Sequence, residues 1–185
     1  GASAQTDTRG ATSAWVSGGN AGAMIDVDEF KLGSEHASIF NAKTDTITAS
    51  VVGLSGSDVR NDVVHSVTAD VLDGAVIRAG TLSILAINRI TKDRLGEFNV
   101  RSGSGGLFDG PAAASYTDIR NSALISVGEG VSVEVHGGAD RSGGLTMSAR
   151  NEVLAYDEIS LDSGGAIALA RADTTINNSL NDARI

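Results

Sequence analysis

Hydrophobic and polar residues alternate along most of this chain. In Val131-Ser132-Val133-Glu134-Val135 the valines share one face of an extended strand, and Ser132 and Glu134 take the other. Leu82-Ser83-Ile84 has the same pattern. Ile47, Ala49 and Val51 mark one face of 41–54, and Ile167 and Leu169 one face of 164–179. Residues 144–161 offer two more short strands. The predicted strands are bounded by Gly, Asn or Asp, which tolerate turn conformations. Residues 58–70, DVRNDVVHSVTAD, have the length for one or two helical turns, but their density of β-branched Val disfavours a helix.

One phrase recurs. Residues 69–87, ADVLDGAVIRAGTLSILAI, resemble 117–135, TDIRNSALISVGEGVSVEV, and shorter echoes stand at 6–12 and 174–181. Aligned this way, Asp70 matches Asp118, Val71 matches Ile119, Ala75 matches Ala123, Ile77 matches Ile125 and Gly80 matches Gly128. The copies start 63 residues apart from Thr6 to Ala69, 48 from Ala69 to Thr117 and 57 from Thr117 to Thr174. Each interval has room for two or three coils of about twenty residues plus a variable loop. The Gly-rich stretches 16–24, 100–115 and 136–144 are the expected variable parts. Asn121, aligned with Asp73 and Asn178, is a candidate for a side-chain ladder between coils, with an ordinary turn residue as the alternative.

Composition sharpens the fold class. The 185 residues are 41% hydrophobic but only 4% aromatic, so the apolar content is mostly Ala, Val, Ile and Leu. A β-sandwich fills a gap of about 10 Å with large side chains from both sheets. A parallel β-helix has a narrow interior in which small and β-branched side chains stack on their equivalents. The expected fold is therefore all-β, a parallel β-helix (β-solenoid) with irregular loop insertions, running as one segment over 1–185. Disorder fits poorly, because strings such as LSILAI and VSVEV can bury apolar surface.

Charge and cysteine content narrow the partners. A net charge of −9 argues against a nucleic-acid backbone or an anionic membrane as partner. No run of 18 apolar residues is present, so no membrane insertion is expected. The chain has no cysteine, which suits large exported bacterial proteins. It begins with Gly1 and shows no signal-peptide pattern, as expected of a processed or excised chain.

The phrases ADVLDGAVIRAGTLSILAIN, ASYTDIRNSALISVGEGVSVEV and ARADTTINNSLNDARI resemble the repeats of filamentous-haemagglutinin-like and leukotoxin-type large bacterial adhesins. Those repeats run A-x-I-x-x-G-A-x-[IV]-x-A-G-x-[LVI]-x-[IVL]. The resemblance implies a right-handed parallel β-helix that is secreted to the bacterial cell surface. It also implies a non-enzymatic structural or adhesive role, with a glycan or protein of a host or neighbouring cell as partner. It departs from the family at 24–42 and around Phe108 and Pro111, which are expected as loops outside the helix. A second reading is an extracellular fibre subunit whose copies join head to tail through open strand edges, because NNSLNDARI stops within a repeat at Ile185. A third is a carbohydrate-active β-helix enzyme.

Candidate chemistry is sparse. His36, His65 and His136 have no partner at metal-ligand spacing and read as solvated or turn histidines. Asp26, Asp28 and Glu29 fail the EF-hand pattern, because Phe30 and Lys31 fill its fifth and sixth positions. A weak calcium site drawing on Asp26, Asp28 or Asp109 is the one cofactor expectation left open. With 23 acidic residues, carboxylate pairs are unavoidable and do not mark a glycosidase. Trp15, Tyr116 and Tyr156, the side chains suited to stacking on sugars, are far apart in sequence. Gly103–Gly106 lacks the lysine of a phosphate loop. No catalytic, cofactor-binding or metal residue is assigned.

Overall fold

The computed structural model describes residues 1–19, 24–93, 96, 98–137 and 143–185. Among them every regular element is a strand: β1 (Ala2–Val16), β2 (Met24–Phe40), β3 (Thr44–Ala49), β4 (Val52–Val71), β5 (Val76–Lys92), β6 (Val100–Gly105), β7 (Phe108–Val127), β8 (Ser132–Val135), β9 (Gly144–Ala155), β10 (Ile159–Ser163), β11 (Ile167–Ala168) and β12 (Arg171–Arg184). Residues 58–70 lie in β4, as their valines require.

The strands form three parallel sheets, which the chain visits in the same order on each circuit. The first sheet runs β1, β4, β7, then β11 and β12. The second runs β2, β5, then β8 and β9. The third runs β3, β6, β10. In the first sheet Ala2 lies beside Ser57, Val52 beside Phe108 and Ala112 beside Arg171, spacings of 55, 56 and 59 residues. In the second, Met24 lies beside Val76 and Thr81 beside Gly144, spacings of 52 and 63.

This register corrects the reading of the repeat. One interval holds a single wide circuit with strands of up to 20 residues, not two or three narrow coils. Asp70 lies beside Ser126, and it is Asp62 that lies beside Asp118. Thr6 lies beside Asn61, and Thr174 beside Ser115. The echo between 69 and 117 is eight residues short of the register. An even slip keeps each side chain on its own face, so the echo satisfied the alternation while missing the pairing. The ladder of Asn121 with Asp73 and Asn178 is likewise not formed. Asn121 lies beside His65 and Asn181, and Asn178 beside Ile119.

Two expected loops are strands. Residues 24–40 form β2, whose polar residues alternate outward with inward Ile25, Phe30 and Leu32. Residues 100–115 supply β6 and the start of β7, with Pro111 beside Ser55. The glycines there allow a close corner: a Cβ on Gly106 would lie 2.0 Å from the Ser50 carbonyl oxygen. Residues 20–23 and 138–142, within the other two Gly-rich stretches, lie outside the described residues. Both β8 and β9 pair with β5, Val135 beside Ala79 and Gly144 beside Thr81.

The corner between the first and second sheets repeats on every circuit. Gly19, Gly74 and Gly130 have φ of 61°, 69° and 66°, a left-handed conformation that glycine adopts without strain. The Asp73 carboxylate accepts the Glu129 backbone N–H at 2.8 Å across this corner. From Gly53 to Val71 nearly every second residue of β4 faces inward and is buried. Three apolar clusters result: Val67, Val71, Ile77 and Leu82 near the corner, Val63, Ile119, Ile90 and Phe40 further along, and Val59, Ala113, Val100 and Ala42 against the third sheet.

Candidate functional site

Two polar layers interrupt the apolar interior. The first separates the corner cluster from the middle one. In the first sheet Gly10, His65, Asn121 and Asn181 stack in register, and in the second His36, Asn88 and Asn151 do so. The columns meet: the His36 and His65 rings stack with centroids 4.3 Å apart, and Asn88 Nδ2 donates to the His65 carbonyl at 3.4 Å. Gly10 makes room for the rings, since a Cβ there would lie 2.8 Å from His65 Nδ1. His65 is 3% exposed. Both its ring nitrogens, His36 Nε2, Asn88 Oδ1, Asn121 Nδ2 and Asn151 Oδ1 have no hydrogen-bond partner within the protein. Burial, aided by the neighbouring His36, holds the His65 imidazole below its ordinary pKa and so favours the neutral ring.

The histidine expectation is thus corrected for two of the three. His36 and His65 converge inside the fold because inward positions of β2 and β4 meet there. His136 follows β8, with Nδ1 2.8 Å from the Gly137 carbonyl oxygen and Nε2 4.0 Å from Asp26 Oδ1. A true register, rather than metal-ligand spacing, was the signal that could have paired the first two.

The second polar layer lies between the middle cluster and the third sheet. Lys92, in register between Phe40 and Ala155, faces inward from the end of β5. Its Nζ lies 2.8 Å from Asp157 Oδ1, and donates to Thr117 Oγ1 at 2.9 Å and Ser115 Oγ at 3.4 Å. Asn61 Nδ2 donates to the same Thr117 oxygen at 3.1 Å. Nothing in the composition or the motifs singled out Lys92 or Asp157; a lysine at an inward parity position was the available signal.

The outer face of the first sheet carries charge in register. Asp7, Asp62 and Asp118 lie side by side. Arg120 pairs with Asp62 at 2.5 Å and Asp118 at 3.3 Å, and Arg9 with Asp7 at 2.9 Å. The hydrogen bond from Arg9 holds the Asp7 carboxyl below its ordinary pKa. Beside them Arg60 stands over the Tyr116 ring, 5.5 Å from its centroid. Trp15 is on this face too, but ten positions further along the strands. Tyr156 follows β9 on another wall. The three aromatics do not form one platform.

At the corner joining the third sheet to the first, apolar side chains are exposed on successive circuits. Val52, Phe108 and Ile167 align there, with Leu54 and Leu169 on either side of Gly110. A Cβ on Gly110 would lie 2.9 Å from Leu54 Cδ2, so this glycine leaves a notch in the ridge. The notch, of about 320 Å³, adjoins an open cleft of about 590 Å³ floored by small residues and edged by Asp58, Arg171 and Asp173. Ala112 and Arg171 line both, making one continuous strip.

The calcium candidates are not brought together. Asp26 and Asp28 are exposed on β2, whereas Asp109 is buried in β7, its Oδ2 accepting from Ser163 Oγ at 2.6 Å and the Gly164 N–H at 3.0 Å. Among the described residues no three His, Cys, Asp or Glu side chains form a group that could hold a metal ion.

Compared with known proteins, the chain matches no family model, no curated sequence and no solved structure.

Proposed function

We propose that this chain is a segment of a right-handed parallel β-solenoid, serving as a structural and adhesive module of a secreted bacterial filamentous adhesin at the cell surface. The observation that carries the reading is the fixed visiting order of three parallel sheets, each circuit stacked in register on the one before. Such a stack lengthens by adding circuits without changing its walls, which suits a shaft. The contact surface is the strip of notch and cleft at the third-to-first corner. Exposed apolar side chains beside Asp58, Arg171 and Asp173 suit a glycan or protein on a host or neighbouring cell.

Binding of the purified chain to arrayed glycans and to intact cells tests this. Saturable binding is expected, weakened at least tenfold by the pair Leu54→Ser and Arg171→Ala, with the carbohydrate left intact. Turnover of a polysaccharide would instead support the β-helix enzyme reading. The fibre reading draws on β1, whose described pairing is to β4 alone. Sedimentation over a wide concentration range separates it from the first, since only a fibre subunit grows into long assemblies.

A further inference from the structure

We propose that Lys92 and Asp157 become joined by an intramolecular amide bond, a covalent staple between successive circuits that the folded chain forms unaided. It holds whether or not the chain is an adhesin. The side chains of Lys92 and Asp157 are 0% and 3% exposed, with Nζ 2.8 Å from Oδ1. Despite that distance, Oδ1 has no hydrogen-bond partner. The ammonium therefore approaches outside the angles of a hydrogen bond, unlike a well-aligned resting ion pair. Phe40 and Ala155 flank Lys92 in register. Taking two charges out of water into a buried site is costly, and condensation removes both charges at once.

The reaction balances with the atoms already in contact. The ammonium carries three protons and the carboxylate none. One proton crosses from Nζ to Oδ1, leaving an amine and a carboxylic acid. The Nζ lone pair attacks Cγ, the Nζ–Cγ bond forms, and the carbonyl electron pair moves to Oδ2. Thr174 Oγ1 already donates to Oδ2 at 3.0 Å, so a donor stands where the negative charge develops. A second proton passes from Nζ to Oδ1, which stands 2.8 Å from it in the starting pair. The Cγ–Oδ1 bond breaks, Oδ1 departs as water, and the third proton remains on the amide nitrogen. Condensation is unfavourable between free groups in water. Well-oriented groups in one molecule reach effective molarities on the order of 10⁵–10⁸ M, which offsets that.

Intact-mass spectrometry of the denatured full chain, followed by a tryptic map, tests the bond directly. The expected result is a mass lower by one water and a branched peptide joining the segment around Lys92 to 151–171, with no cleavage after Lys92. Lys92→Arg is expected to restore the full mass. An unmodified wild-type mass overturns the proposal. So does a water loss mapped elsewhere, such as a cyclic imide at Asp73–Gly74, or a loss of ammonia that places the link at Asn61. The wild-type mass is informative by itself, so the test does not depend on whether the variant folds.

Discussion

His65 shows what one inward position costs when it is polar. Its ring has no hydrogen-bond partner in the protein, and burial lowers its pKa in the folded chain. The residues stacked in register with it or its ring partner are Gly10, Asn121, Asn181, Asn88 and Asn151, all uncharged, and Thr12 Oγ1 lies 3.4 Å from His36 Nδ1. His36 is the only titratable side chain among these, and the inward charges of Lys92 and Asp157 belong to the other polar layer. In the unfolded chain His65 returns to an ordinary pKa of about 6.5, so the unfolded state binds the proton more readily. Stability is then full above that value, falls as pH drops from about 6.5 toward the lower folded-state value, and levels off below it. One proton gives a slope of at most about 1.4 kcal/mol per pH unit. Urea unfolding midpoints between pH of about 7.5 and 5 are expected to fall in the parent and to stay flatter in His65→Gln. An equal slope in both would assign the acid sensitivity to another group.

At the scale of the element, the corner between the first and second sheets separates two roles of glycine. Gly130 has φ of 66° with open space where a Cβ would go, so Gly130→Ala meets only left-handed strain, about 1–2 kcal/mol. A Cβ on Gly128 would lie 2.2 Å from Asp73 Oδ1 and 2.7 Å from the Asp73 backbone nitrogen. Gly128→Ala must therefore displace a neighbouring circuit, and its thermal midpoint is expected below that of Gly130→Ala. The reverse order would mean that the corner yields more easily than its backbone spacing implies. These corners also show how much of the fold was legible in sequence. The strands were, because alternation at period two needs only neighbouring residues. Parallel stacking was suggested by the shortage of aromatic side chains. The length of a circuit was not, because Ala, Val and Ser match one another at any even offset. The glycines at 19, 74 and 130 carry the true spacing, since a left-handed corner cannot slide. Of the site, the sequence offered His36 and His65 but not their meeting, which needs two sheets folded face to face.

For the whole molecule, long circuits mean a broad, shallow body. A strand of 20 residues spans roughly 65 Å at about 3.3 Å per residue, while four stacked strands rise only about 15 Å. The accessible surface agrees: 9909 Å² against roughly 8300 Å² for a compact protein of 18.8 kDa. Small-angle X-ray scattering of the monomer is expected to give a radius of gyration near 20 Å, above the roughly 16 Å of a compact chain of this length. A value at the compact figure would contradict the plate.

The spacing of about 55 residues between paired strands also governs how the chain finds this structure. A hairpin closes a loop of two to five residues. Here the first sheet gains no hydrogen bond between strands until Ser57 has come round to Ala2. Loop-closure entropy grows as the logarithm of length, so the first closure costs roughly 2 kcal/mol more than a hairpin of about four residues. Once one circuit exists its edge is a template, and each later strand is laid against a surface already in place. A chain released from one end stays open until about a third of it is free, and then draws in the remainder one rung at a time.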